Sequence, residues 1–191
     1  MYNERDVMNV SIGKHIAWVM ACGLMGNVVF AETAVIQLSL TPDIALQSTD
    51  TRIEGLSLNI WGENEQSALT IGLVNGARND SQGLMLGYIL NYADNYNGVQ
   101  WGFVNYNKGD FLGWQSGFVN YTAGRFKGLQ SGFINVTDTF SGLQLGVINM
   151  ADEVESGVQI GLINVISENQ DFFTNLPDEL APAMVFVNWH F

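Results

Sequence analysis

Residues 128–150 read GLQSGFINVTDTFSGLQLGVINM and contain one phrase twice. In both copies a glycine, an apolar residue and a glutamine are followed, after one variable residue, by a second glycine, two apolar residues and an asparagine. The copies differ only where Ser131 is replaced by Leu145 and Phe133 by Val147. No charged residue occurs inside either copy. We interpret each phrase as one strand of a sheet whose apolar side avoids water.

The phrase recurs with a period of fifteen residues, shortened once to fourteen. Seven copies run from about Ala68 to Val165, and a looser forerunner, IEGLSLNIWG, occupies residues 53–62. Repetition at a fixed period indicates a repeat architecture and is therefore assessed before secondary structure. The residues that define the structural repeat are Gly72, Gly87, Gly102, Gly117, Gly132, Gly146, Gly161, Asn75, Asn91, Asn105, Asn120, Asn135, Asn149 and Asn164.

Each copy is predicted to be one strand followed by one turn. Val99, Trp101 and Phe103 alternate with the residues between them, as side chains do on the two faces of a strand. The segments between phrases are rich in Asp, Asn, Gly, Thr and Ser, which favour turns. Two glycines per phrase oppose a helix, since each costs about 1 kcal/mol relative to alanine in a helix interior. The chain is therefore predicted to be all-β.

Charged residues are confined to the predicted turns. An uncharged band between charged turns is typical of a transmembrane β-barrel wall, because Lys or Arg on the lipid face costs roughly 2–4 kcal/mol. If neighbouring strands run antiparallel, Tyr106 lies beside Gly113. The apolar side is predicted to face lipid, while the glutamines point into a narrow lumen. These glutamines are Gln100, Gln115, Gln130, Gln144 and Gln159.

The C-terminal residues form a further predicted strand. Counting back by twos from Phe191 gives Trp189, Val187, Val185 and Ala183, an alternating apolar pattern. Together with AVIQLSL near residue 34, the forerunner and the seven copies, the total is about ten strands. An even number suits a closed barrel. The predicted fold is therefore an up-and-down antiparallel β-barrel of about ten strands, built from 15-residue strand–turn repeats.

A β-solenoid with one repeat per coil is the alternative. In a solenoid, equivalent positions of successive repeats stack, so Gly, Gln and Asn would form ladders. Strict positional repetition favours this arrangement. The bulk of Trp101, Phe103, Trp114 and Phe118 opposes it if these side chains must fit inside a narrow coil.

Residues 1–31 are predicted to be a secretory signal peptide, and residues 32–191 a single β-repeat domain. Lys14 and His15 precede an uncharged apolar run that ends at Ala31, a small residue of the kind that precedes a signal-peptide cleavage site. The signal pattern is also complete from Met8, so either Met1 or Met8 is the start. A retained membrane anchor is the alternative. Cleavage after Ala31 would remove Cys22, the only cysteine, and leave no thiol for a disulfide or a metal.

The phrases GLQSGFIN, GLQLGVIN and GVQIGLIN, with IEGLSLNIWGENE and the final VNWHF, resemble bacterial exported surface-repeat proteins with GLQxGxxN repeats. The resemblance spans roughly residues 53–191 and implies export and repeat architecture. It transfers no activity to any residue. The final strand is also similar to the C-terminal strand of outer-membrane β-barrel proteins, which implies that Trp189 and Phe191 are an assembly signal.

These patterns predict a non-enzymatic exported bacterial protein with a structural or surface-interaction role. The expected location is the outer membrane, with membrane lipid and the outer-membrane assembly machinery as partners. The alternative is a periplasmic or secreted β-solenoid binding module. A net charge of −12 excludes nucleic acid as an expected partner, because such a surface repels phosphate.

No catalytic residue, cofactor site or metal site is predicted. His190 is the only histidine after residue 31, and no nucleophile is paired with it in the sequence. The acidic turn at residues 152–155 could attract Ca²⁺, but its spacing favours a solvated rim. Trp61, Trp101 and Trp114 could stack on carbohydrate, although an interfacial position at a membrane explains them more simply.

Overall fold

A computed structural model describes residues 32–191, which form strands, turns and bends. Within this range, no helix is long and apolar enough to cross a membrane. The strands are β1 (Thr33–Thr41), β2 (Ile44–Ala45), β3 (Arg52–Asn64), β4 (Leu69–Asn107), β5 (Phe111–Ile166) and β6 (Ala183–His190). They form one sheet in the order β2-β1-β3-β4-β5-β6.

The long strands β4 and β5 contain 39 and 56 residues and follow the repeat from coil to coil. The end of β4 pairs in parallel with the start of β5, and each residue lies beside the residue fifteen positions later. Gln100 pairs with Gln115, and Asn105 pairs with Asn120. The fold is therefore a β-solenoid in which each copy of the phrase contributes to one coil.

The predicted antiparallel barrel is wrong, and the solenoid alternative is correct. Tyr106 pairs with Tyr121 rather than with Gly113, and Gly113 pairs with Gly98. Parallel stacking places each amide or aromatic residue on an equivalent residue of the next coil, which an antiparallel arrangement would not do. Trp101 and Phe118, whose bulk opposed the solenoid, lie on its outer surface.

Buried amide side chains form two ladders through the solenoid. In the first, the Asn105 Nδ2 group donates a hydrogen bond to Asn120 Oδ1 at 2.8 Å, and each asparagine repeats this contact toward the C terminus. In the second, Gln115 Nε2 donates to Gln100 Oε1 at 3.0 Å, toward the N terminus. The inward direction predicted for the glutamines is confirmed, but they fill a packed interior instead of a lumen.

The second glycine of each phrase makes room for the asparagine of the preceding coil. A Cβ on Gly117 would lie 2.2 Å from the Gly102 carbonyl oxygen and 2.8 Å from Asn105 Nδ2. The same Nδ2 donates to the carbonyl oxygen of Ser116 at 2.8 Å, immediately before Gly117. This packing explains why glycine and asparagine recur together in the phrase.

In five of the phrases the first glycine is required by the backbone, because its φ is positive; these glycines are Gly83, Gly98, Gly113, Gly128 and Gly142. Gly113 has a φ of 133°, and a Cβ there would lie 2.0 Å from the Gly98 carbonyl oxygen. An L side chain is disfavoured by both the dihedral angle and the contact. The two glycines of the phrase therefore have different roles in the coil.

A ladder of aromatic rings completes the interior. Phe111 and Phe126 stack at 5.2 Å between ring centroids, and Tyr96 and Phe140 extend the stack at 6.1 Å on either side. All four residues are buried. These rings come from segments that the sequence predicts to be turns, so the aromatic core was missed.

The strand predicted at the C terminus is confirmed as β6. It pairs antiparallel with the last coil of β5, with Val158 beside Trp189 and Ile160 beside Val187. Trp189 Nε1 also donates to the carbonyl oxygen of Pro177 at 2.9 Å. The assembly signal at Trp189 and Phe191 stays a prediction. The predicted signal peptide and the choice between Met1 and Met8 lie outside the described residues.

Candidate interaction surface

An uncharged outer surface, here named the apolar face, runs along the length of the solenoid. Each coil contributes one row of three outward side chains, and equivalent positions in successive rows form three columns. The same-face grouping predicted from the sequence is confirmed. The rows are Leu56, Leu58, Ile60; Leu69, Ile71, Leu73; Leu84, Leu86, Tyr88; Val99, Trp101, Phe103; Trp114, Ser116, Phe118; Leu129, Ser131, Phe133; Leu143, Leu145, Val147; Val158, Ile160, Leu162.

Large side chains on the apolar face are well exposed. Tyr88 is 80% exposed, Trp101 64% and Phe103 56%. In the third column, Phe118 stacks on Phe103 at 5.1 Å and on Phe133 at 4.9 Å. The rings therefore form an ordered aromatic strip whose outer sides remain open.

A groove of about 1040 Å³ follows the middle of the apolar face. Its lining includes Trp101, Ser116 and Ser131, which are successive members of the second column. Ser131 Oγ donates to Ser116 Oγ at 3.1 Å and accepts a hydrogen bond from Trp114 Nε1 at 3.0 Å. Because the hydroxyls are engaged with one another and with the indole, the groove is mainly an apolar recess.

The charged side chains lie on the segments between the phrases, here named the charged edge. The prediction that charge lies outside the phrases is confirmed, but the prediction that these segments are turns is wrong, since Arg78, Asp94 and Arg125 all lie within β4 or β5. Arg125 Nε lies 3.0 Å from Glu155 Oε1, and both side chains are at least half exposed. The edge comprises Arg78, Asp80, Asp94, Lys108, Asp110, Arg125, Lys127, Asp138, Asp152, Glu153 and Glu155.

The three tryptophans considered together in the sequence do not share a site. Trp101 and Trp114 belong to the apolar face. Trp61 instead donates from Nε1 to Tyr92 Oη at 3.1 Å, and that hydroxyl donates to Glu63 Oε2 at 2.7 Å. Burial is the main cause that raises the pKa of Tyr92 to about 12. The tyrosine hydroxyl therefore stays protonated at neutral pH.

His190 lies among polar groups near the C-terminal end of the solenoid. Its Nδ1 is 2.7 Å from Asn169 Oδ1, 3.4 Å from Glu168 Oε1 and 3.7 Å from Glu179 Oε2. Within residues 32–191, no cluster of three or more His, Cys, Asp or Glu is arranged to hold a metal ion. The absence of a metal site stays a prediction.

The sequence identified the outward residues but not the groove between them. Ser116 and Ser131 are separated by a full repeat, and their joint effect exists only once the coils are stacked. No protein-family model matches the chain, and no curated protein or solved structure is significantly similar to it. The function must therefore be inferred from the surface itself.

Proposed function

We propose that this chain is a non-enzymatic binding module of an exported protein, and that it binds an apolar partner through the apolar face. The observation that carries the proposal is the uncharged, exposed face with its aromatic strip and central groove. Large exposed apolar surfaces commonly mark interaction sites.

The size of the apolar face supports this function. The eight rows and the flanking strands β1 and β6 give ten strand segments. Spaced about 4.8 Å apart, they would extend roughly 45 Å, and five residues of each segment span about 16 Å. The face therefore covers on the order of 700 Å², whereas the largest apolar patch on a monomer is typically about 300–600 Å². A partner that covers this surface would remove many exposed rings from water.

The distribution of charge restricts the partner. The chain has a net charge of −12, and its charged side chains lie away from the apolar face. A partner with an anionic contact surface would be repelled, while an apolar contact surface would meet no charge that must be desolvated. Binding of an uncharged partner should therefore depend little on salt.

Export is part of the proposal and depends on the predicted signal peptide at residues 1–31. A binding module of this kind would act in the periplasm, outside the cell or at the outer-membrane surface. Detection of the protein in fractionated cells, with the start and the cleavage site read from the N terminus, tests this part separately from binding.

The binding proposal is tested by titrating the full chain with an uncharged dye that fluoresces in apolar surroundings, at submicromolar protein concentration. Trp101→Ser should weaken dye binding about tenfold, because it removes the large exposed ring beside the groove. Trp61→Ser is the matched control, since this tryptophan lies outside the groove. Equal binding by the wild-type chain and both variants would contradict a specific apolar site.

A further inference from the structure

The order of large and small side chains reverses at the middle of the apolar face. One row presents Val99 and Trp101 in its first and second columns, while the next row presents Trp114 and Ser116. Bulk thus moves from the second column to the first between adjacent rows. This swap gives the face a knob and a recess beside each other.

We propose that the partner of the apolar face is a second copy of this chain. The two faces would pack around a two-fold axis that lies in the interface, parallel to the strands and midway between the rows of Trp101 and Ser116. Such an axis reverses the order of the rows and leaves each column opposite itself. This inference rests on the proposed function, since it names the partner of the same surface.

In the second column the axis places large side chains opposite small ones, whereas in the third column Phe103 faces Phe118. Trp101 of each copy enters the recess at Ser116 of the other, and Leu86 faces Ser131. In the first column, Val99 faces Trp114. A symmetric interface requires this reciprocity, because every contact occurs twice. The partner's side chains would fill the groove of about 1040 Å³ that is open in the single copy.

The area of the apolar face is sufficient for a stable dimer. Two faces on the order of 700 Å² would bury roughly 1,400 Å² in total, within the range of about 1,200–2,000 Å² for specific interfaces. Since the axis is parallel to the strands, the two sheets remain aligned, as in face-to-face sheet packing about 10 Å apart.

Charge does not oppose this packing. The charged edge of each copy lies on the segments between the phrases, outside the rows that meet. At physiological salt the Debye length is about 8 Å, so repulsion between the distant edges of the two copies is largely screened. Dimerisation should therefore strengthen when salt is raised from low to physiological concentration.

The test is a size swap across the axis, measured by sedimentation equilibrium of the full chain. In the Trp101→Ser dimer, two serines would lie opposite each other at positions 101 and 116. In the Ser116→Trp dimer, two tryptophans would lie opposite each other at the same positions. Each substitution should weaken dimerisation by about tenfold or more, whereas the double variant should recover to within about threefold of wild type. Both positions are outside the coil interior, and circular dichroism verifies that the variants are folded.

Other outcomes would overturn the inference. If the wild-type chain stays monomeric at about 100 µM, a concentration at which even a weak specific dimer would be populated, it has no such interface. If the losses of dimer affinity caused by the two single substitutions add up in the double variant, the proposed axis is wrong. Tighter binding of Ser116→Trp to neutral phosphatidylcholine vesicles, without dimerisation, would identify lipid as the partner. If the chain is monomeric but its dye binding still depends on Trp101, only the proposal of a second copy as partner is overturned. If neither dimerisation nor Trp101-dependent dye binding is detected, the proposed function is overturned too.

Discussion

The interior of the solenoid and its apolar face reverse the usual distribution of polarity. Along one strand, Gln100 points inward and is fully buried, while its neighbour Trp101 points outward and is 64% exposed. Burying an amide without a partner is costly, yet the amides of the two ladders meet the equivalent amide of the next coil. Repetition therefore makes a polar interior stable, while the outer positions remain available for an apolar surface.

The ends of the ladders show how much this stability depends on repetition. In the last coil, Asn164 Nδ2 donates to the carbonyl oxygen of Met184 in β6 at 3.3 Å. Gln159 Oε1, at the end of the glutamine ladder, is buried and has no hydrogen-bond partner within residues 32–191. Strand β6 thus satisfies the end of the asparagine ladder but not that of the glutamine ladder.

The largest effect is expected from a break in the asparagine ladder. Asn120→Leu keeps the branched shape of the side chain but removes one of the two acceptors of Asn105 Nδ2. It also removes the donor to Asn135 Oδ1 and to the carbonyl oxygen of Ser131. Since each unsatisfied buried group costs about 1–3 kcal/mol, the free energy of unfolding should fall by about 4 kcal/mol. Urea denaturation measures the change.

Asn97→Leu is the control for this substitution, because Asn97 is exposed. It should change the free energy of unfolding by less than about 0.5 kcal/mol, as is usual for surface positions. If both substitutions had the same small effect, the amide ladder would not be a main source of stability.

A smaller, stabilising effect is expected at the start of the aromatic ladder. Tyr96 is 2% exposed, and its Oη has no hydrogen-bond partner within the described part of the chain. Tyr96→Phe removes that hydroxyl and preserves the ring that stacks on Phe111. The free energy of unfolding should rise by about 1 kcal/mol. If urea denaturation instead shows a lower free energy of unfolding, the Tyr96 hydroxyl has a hydrogen-bond partner.

The same substitution should also reduce sensitivity to alkali. Burial raises the pKa of the Tyr96 hydroxyl above its ordinary value of 10.0. Since the folded chain retains a proton that the unfolded chain loses, stability is complete below pH 10 and falls as the pH rises further. Tyr96→Phe should flatten this decline in denaturation curves, and Tyr92, with its pKa near 12, should account for part of what remains.

The smallest effect on folding is expected on the apolar face. Trp101→Ser should lower the free energy of unfolding of the single copy by less than about 1 kcal/mol, because the exposed ring is largely hydrated already. The measurement is urea denaturation below the concentration at which copies associate. A loss comparable to that of Asn120→Leu would show that the face belongs to the folding core.

Particular residues show how far sequence reasoning extends. The alternation of Gln100 and Trp101 predicts opposite sides of a strand, and the confinement of charge to turns predicts an uncharged surface. Both predictions are confirmed. The lipid-facing role inferred from that surface stays a proposal. Phe111 and Phe126 were missed as core residues because each follows turn-forming residues, although the two aromatic residues recur at the period of fifteen.

By itself, the sequence determined the repeat, the all-β character and the opposite sides on which the glutamine of each phrase and its apolar neighbours lie. These properties follow from local backbone geometry and from a period that is visible in one chain. Only the tertiary structure decided that successive repeats stack in parallel, because a period of fifteen permits either direction of pairing. Direction depends on contacts between coils, where Asn105 meets Asn120 and Gly98 meets Gly113, and those contacts form only when distant segments come together.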